Sequence, residues 1–256
     1  MIFWHIKMHH RTIRLRNTKG RKDRKSILMQ EYTQITGMVL KAEPVGEYDR
    51  RVVILTKEKG KISAFARGAR KPNSRLLAAT NPFSFGEFKL YAGRNSYTVM
   101  DAAISNYFEG LREDFEGAYY GMYFLEVADY YTRENNDERE MLKLVYQSLR
   151  AVLHKGIPNR LIRCIFEMKA MTVNGEFPGM PAEGVWEEST AYAVSYIMNS
   201  SIEKLYTFTV KENVLAELRT IADDYRRRYL DRTFKSLEIV DNLYYNGMQY
   251  VGGKSM

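Results

Sequence analysis

From Gln34 onward, apolar and polar positions alternate with the period of two that a half-buried strand requires. Ile35-Thr36-Gly37-Met38-Val39-Leu40-Lys41-Ala42 predicts a first strand closing at Pro44, and Gly46-Glu47-Tyr48-Asp49 has the composition of a turn. Arg50–Thr56 predicts a second strand, Lys57–Gly60 a tight connection, and Lys61–Arg67 a third strand. After a loop over Arg70–Thr80, Phe83–Tyr91 reads as a fourth, and Gly93-Arg94-Asn95 turns into a fifth at Ser96–Met100. Five short strands followed by a change of period predict a small antiparallel barrel, for which the oligonucleotide-binding (OB) fold is the leading candidate. From Gly110 the apolar spacing becomes three to four. Leu111, Phe115, Ala118, Met122 and Leu125 form one stripe, and Leu142, Val145, Leu149 and Val152 a second. Pro158 suits the opening of a third helix, where its missing N–H costs nothing, and Asn174-Gly175 suits its end. Further helices are expected at about Ser189–Asn199, Lys211–Tyr229 and Thr233–Leu243. The expected class is α+β: a barrel over 29–109, a helical domain over 110–243 with a loop at 175–188, and a flexible tail over 244–256.

The third strand changes this from a fold reading to a chemical one. Ile62, Ala64 and Ala66 fall on its small apolar face, and Lys61, Ser63, Phe65 and Arg67 on the other. Cations around an aromatic ring supply what a single nucleic-acid strand needs, charge for phosphates and a flat surface for bases. Between Lys57 and Arg75 there are seven Lys or Arg (Lys57, Lys59, Lys61, Arg67, Arg70, Lys71, Arg75) against one acid, Glu58. A lysine-guarded strand edge would share part of this pattern. The continuation of charge into the Gly68–Pro72 loop favours nucleic acid.

The formal net charge of +8 is less informative than its distribution. Residues 1–28 carry nine Lys or Arg and one acid, so this segment alone accounts for +8. It reads as a disordered basic arm, an Arg-rich transit peptide, or an extension foreign to the native protein that begins at Met29. The remainder divides into a basic front, +4 over 29–109, and an acidic back, −4 over 110–256.

Candidate catalysts are scarce. The single cysteine, Cys164, excludes an internal disulfide framework and a thiolate zinc cluster, and points to a reducing compartment, the cytoplasm. The longest uncharged apolar run, Ser189–Ile202, is shorter than the ~18 residues of a membrane span. His5, His9 and His10 lie in the basic arm, and His154 stands alone at a helix end, where a dipole contact is the simpler role. Glu47 and Asp49 could share a metal, although a solvated turn beside Arg50-Arg51 is the simpler fate. Neither phosphate-loop nor dinucleotide glycine motif occurs. No cofactor, metal, membrane or small-molecule substrate is expected, and an enzyme is the poorer reading. On the third helix, Arg160, Arg163 and Lys169 flank Ile162, Phe166 and Met168. Such a face could receive an acidic peptide with an apolar end, although periodicity alone favours an ordinary amphipathic helix.

Thr36-Gly37-Met38-Val39-Leu40, Gly46-Glu47-Tyr48-Asp49-Arg50 and Gly60-Lys61-Ile62-Ser63-Ala64-Phe65-Ala66-Arg67-Gly68-Ala69-Arg70, in this order and spacing, resemble the RecO family of bacterial recombination mediators. Pro82-Phe83, Gly93-Arg94, the Phe166-Glu167 helix and Phe234-Lys235-Ser236-Leu237 extend the likeness over roughly 30–243. The resemblance implies an N-terminal OB barrel, a helical C-terminal domain, and members that begin near Met29. It implies binding of single- and double-stranded DNA, annealing of complementary strands, and work with RecR in loading RecA onto strands coated by single-stranded-DNA-binding protein (SSB). Lys57, Lys59, Lys61, Arg67, Arg70, Lys71 and Arg75 would then neutralise phosphates and Phe65 would stack a base. Arg160, Ile162, Arg163 and Phe166 would receive the acidic, hydrophobic-ended SSB tail. Many relatives carry a four-cysteine zinc site near 175–188. This chain cannot form one, so Phe177, Met180, Val185 and Trp186 are expected to hold that loop. The alternative is a helical interaction scaffold for which nucleic-acid contact is incidental.

Overall fold

The computed structural model describes residues 32–94 and 96–242. The basic arm over 1–28 and the tail over 244–256 lie outside the described residues. Five strands, β1 (Tyr32–Val45), β2 (Asp49–Thr56), β3 (Gly60–Ala66), β4 (Phe85–Ala92) and β5 (Tyr97–Asn106), close a barrel in the order β1-β2-β3-β5-β4. A short helix, α1 (Leu76–Ala79), interrupts the stretch between β3 and β4 that sequence reads as loop. The arrangement is that of an OB fold followed by helices: α2 (Phe115–Tyr131), α3 (Arg139–His154), α4 (Asn159–Val173), α5 (Glu188–Asn199), α6 (Glu212–Tyr229) and a last helical stretch over 235–242. No helix among the described residues is long and apolar enough to cross a membrane.

Alternation in β3 survives intact, with Ile62, Ala64 and Ala66 buried in the barrel and Lys61, Ser63 and Phe65 facing out. β1 and β2 instead bury consecutive residues, Met38-Val39-Leu40 and Ile54-Leu55. Val39 and Ile54 fill the barrel, whereas Met38, Leu40 and Leu55 belong to the core of the helices. A bulge between Val39 and Lys41 accommodates the extra residue, Leu40. Strands buried on both faces read as continuous apolar runs, which is the pattern here.

Asp114 caps α2, its Oδ1 accepting the Gly117 N–H at 2.9 Å. At the other end of the helical core, α4 stops where Gly175 takes φ +74° and the Glu176 N–H returns to the Met171 carbonyl at 2.9 Å. The loop that follows is held by Phe177, which packs edge-on against Tyr225 at 5.4 Å. The Tyr225 hydroxyl also donates to the Gly179 carbonyl at 3.1 Å. Val185 is fully exposed and holds nothing, contrary to expectation. The chain near it is turned by Gly184 at φ +104° and by the Trp186 Nε1 donating to the Glu183 carbonyl. Met180 and Trp186 pack, partly buried, against the helical core, as expected.

Cys164 sits in the centre of the helical core, and burial pushes its thiol well above the ordinary range. The thiolate is the reactive form, so maleimide is expected to label the protein only after denaturation. Stoichiometric labelling of the native chain would show that α4 opens on the labelling timescale.

Candidate nucleic-acid interface

Strand register assembles a row of side chains that lie far apart in sequence. Arg51 pairs with Phe65, Phe65 with Thr98, Thr98 with Tyr91, and Tyr91 with Tyr32, crossing all five strands on the outer face. The Tyr32 and Tyr91 ring centroids are 6.1 Å apart, and Lys89 Nζ lies 4.8 Å over the Tyr32 ring. Arg51 Nε donates to Ser63 Oγ at 2.9 Å, which holds the guanidinium along the same face. A groove of about 570 Å³ opens here, lined by Arg51, Phe65, Arg94, Tyr97 and Glu134. Lys59 Nζ lies 5.8 Å over the Tyr97 ring. Sequence reading found Phe65 and Lys59 and missed Arg51, Tyr91, Tyr97 and Tyr32. Their outward positions in the alternation could have nominated them, but nothing local joins them.

At one end of β3 the backbone turns through Gly68, at φ +63°, and its N–H donates to Asp49 Oδ1 at 2.7 Å. Asp49 therefore anchors a turn rather than sharing a metal with Glu47. The Arg70 N–H donates to the Tyr48 carbonyl at 2.8 Å, its guanidinium reaches the Gly46 carbonyl at 3.2 Å, and Lys71 lies 5.5 Å over the Tyr48 ring. Arg50 ties β2 to the α1 region by donating to the Leu77 carbonyl, Thr80 Oγ1 and Asn81 Oδ1, each at 2.9 Å. Two turns distant in sequence thus form one platform from which Arg67, Arg70, Lys71 and Arg75 project into solvent. Unlike a charged loop without a frame, this one has its backbone tied to the turn over 46–49.

Two of the expected cations go elsewhere. Lys61 shares the outer face of β3 with Phe65, but its Nζ is half-buried and bonds the Asp129 carboxylate of α2 at 2.9 Å and the Asp129 carbonyl. It joins barrel to helices and is not presented to a ligand. Lys57 lines a separate cleft of about 200 Å³ beside α3, with Arg139 and Lys143 around Phe85, Leu142 and Tyr146. The divergence follows from the partners of β3. Its pairing with β5 covers only Ala64 and Phe65, leaving the Gly60 end open. The α2–α3 connection fills that edge: Lys61 N–H donates to the Arg133 carbonyl and Asn135 N–H to the Lys59 carbonyl, both at 2.9 Å.

The expected peptide-binding face on α4 is not a surface. Ile162 and Phe166 are wholly buried and Arg163 is only 4% exposed, while Arg160 is half-buried. Helix α4 packs against α2, α3, α5 and α6. Arg163 Nε donates to Glu167 Oε1 at 2.9 Å, another of its nitrogens bonds Asp223, and Asp241 lies 3.5 Å away. The Tyr123 hydroxyl donates to the same Glu167 oxygen at 2.5 Å. Burial opposes the Arg163 charge, yet the Glu167 and Asp223 carboxylates outweigh it and hold the guanidinium protonated beyond its usual range. Lys169 is likewise internal, donating to the Met198 and Ser200 carbonyls at 2.8 and 2.7 Å and so closing the C-terminal end of α5. What reads as the solvated stripe of an amphipathic helix is a polar seam matched by carboxylates and carbonyls of other elements.

Comparison with known proteins points the same way as the barrel. The N-terminal family model of recombination protein O matches residues 29–108, and its C-terminal model matches 112–180 and 173–238. The chain is 28% identical over 245 residues to the DNA repair protein RecO of Acetivibrio thermocellus, covering 83% of this chain and 97% of that protein. It is 27% identical over 254 residues to that of Bacillus subtilis, covering 87% and 98%. With the counterpart from Listeria monocytogenes serotype 4a it shares 30% over 190 residues, covering 72% and 74%.

Proposed function

Since the chain belongs to the RecO family of DNA repair proteins, we propose that it binds DNA along the barrel groove and the basic platform, and anneals complementary strands. With RecR it then helps load RecA onto SSB-coated single strands. What supports this is the row Arg51–Phe65–Thr98–Tyr91–Tyr32, a stacking surface across the barrel with Arg67, Arg70, Lys71 and Arg75 beyond one end of β3. Aromatic faces accept any base, and cations offset phosphate charge without reading sequence. Bringing two strands to one such surface lowers their mutual repulsion, so pairing proceeds without nucleotide hydrolysis and no catalytic group is required. With α4 enclosed, the cleft formed by Lys57, Arg139 and Lys143 around Phe85 and Tyr146 is the better receptor for the SSB tail, joining cations to an apolar floor.

Anisotropy titrations of labelled single- and double-stranded oligonucleotides test the DNA site. Changing Arg67, Arg70 and Lys71 together to alanine is expected to weaken binding roughly tenfold or more at low salt. The salt slope should also fall by about 0.7 per lost contact on single strands. Unchanged affinity and slope in a folded variant would move the DNA site elsewhere. Wild-type protein without DNA affinity would leave the scaffold reading.

A further inference from the structure

Among the described residues lining the barrel groove, Glu134 is out of place on a surface meant only for phosphates. Its backbone is clamped to the barrel edge by hydrogen bonds on both sides, from Lys61 N–H to the Arg133 carbonyl and from Asn135 N–H to the Lys59 carbonyl. The clamp pairs Glu134 with Gly60, and Glu134, an exposed residue, lines the groove together with Arg51, Ser63, Phe65 and Tyr97. A carboxylate repels phosphate, so a strand lying here keeps its backbone toward the cations and turns bases toward Glu134. An ionised carboxylate only accepts hydrogen bonds, through two adjacent oxygens. The Watson–Crick edge of guanine carries adjacent N1–H and N2–H donors that match it. Adenine and cytosine offer one amino group beside a ring nitrogen acceptor, and thymine one N–H between two carbonyls.

We propose that Glu134 reads the Watson–Crick edge of an unstacked guanine lying against Phe65 and Tyr97, giving an otherwise sequence-tolerant groove a guanine preference at one position. The inference rests on the DNA-binding reading of the groove. Bases so exposed are a property of single strands, since the same edge is occupied in a duplex.

The test uses the full chain and two labelled twelve-nucleotide strands, one all thymidine and one with a single central guanine. Wild-type protein is expected to bind the guanine strand about fivefold tighter, one charge-assisted hydrogen-bond pair partly offset by desolvation. Glu134→Gln should abolish the preference while still binding the thymidine strand, and should leave binding of a duplex containing the same guanine unchanged. A preference that persists in Glu134→Gln, or its absence in the wild type, overturns the proposal. Equal tightening of both strands in the variant also overturns it, reducing Glu134 to a repulsive charge. Titration with 5′-dGMP alone separates a strand site from a nucleotide site, and saturable micromolar binding of dGMP would overturn the strand assignment. Loss of all DNA binding in the wild type would instead defeat the underlying DNA reading. The triple alanine variant separates the two, because it should weaken both strands and leave the guanine preference intact.

Discussion

Replacing Arg163 by alanine is expected to destabilise the protein by about 3–5 kcal/mol, the cost typical of removing one partner from a buried ion pair. Glu167, with a side chain only 1% exposed, would keep its charge without the 2.9 Å bond that compensates it. Arg226 Nε, buried without a hydrogen-bond partner and 3.8 Å from Glu167 Oε1, can offset only part of this. The Tyr123 hydroxyl already donates to that oxygen, which places the cost toward the lower end of the range. For a chain of this size the loss corresponds to roughly 10 °C or more in melting temperature. Arg163→Glu should be worse, since it adds a carboxylate to Glu167 and Asp223 in the same enclosed space. Arg163→Lys, which keeps the charge but not the forked geometry, should fall between wild type and alanine. Thermal melts of the three variants check the order. A melting temperature for Arg163→Ala within a degree or so of wild type would return this residue to a solvated face. Any loss of peptide binding in Arg163→Glu would then have to be separated from loss of fold before it spoke for a binding site.

Gly60→Ala is the second substitution expected to do large damage, and it acts at the junction of barrel and helices. Gly60 holds φ +66°, a conformation costing other residues ~1–2 kcal/mol. An added Cβ would stand 2.3 Å from the Arg133 carbonyl oxygen and 2.9 Å from that of Asn136. Both are backbone atoms, so relief requires the α2–α3 connection to leave the β3 edge. The combined cost is expected near about 3 kcal/mol, among the larger single-site effects. Displacing that connection would also withdraw Glu134 from the groove. Amide hydrogen exchange should therefore show early opening at Lys61 and Asn135, whose N–H groups make the clamp. Unaltered protection at both, with an unaltered melt, would mean the connection does not seal the barrel. Gly46 makes a useful contrast: it also has positive φ, 55°, but an added Cβ would meet nothing within 4 Å. Substitution there should cost only the backbone strain.

Local pattern alone determined much of this protein. Period-two alternation placed Ile62, Ala64 and Ala66 inside the barrel and Phe65 outside, because in a strand the face of a residue depends only on its own position. The change to helical period after Gly110 anticipated the helices that begin with α2, and Asn174-Gly175 the end of α4. The exposed cations Arg67, Arg70, Lys71 and Arg75 were visible in the same way, since turn chemistry brings them to solvent. Periodicity states which way a side chain points but not what meets it there, and tertiary structure decided the rest. Lys61 and Phe65 share a face, yet one is taken by Asp129 and the other lines a groove, because α2 comes against the Gly60 end of β3 while the Phe65 end pairs with β5. Arg163 has the spacing of a surface arginine and lies in the core, because Asp223, sixty positions away in the chain, arrives to pair with it. The row from Tyr32 to Arg51 exists only through register. Its members meet when the barrel closes, and barrel closure is a cooperative property of five strands that none of them carries alone.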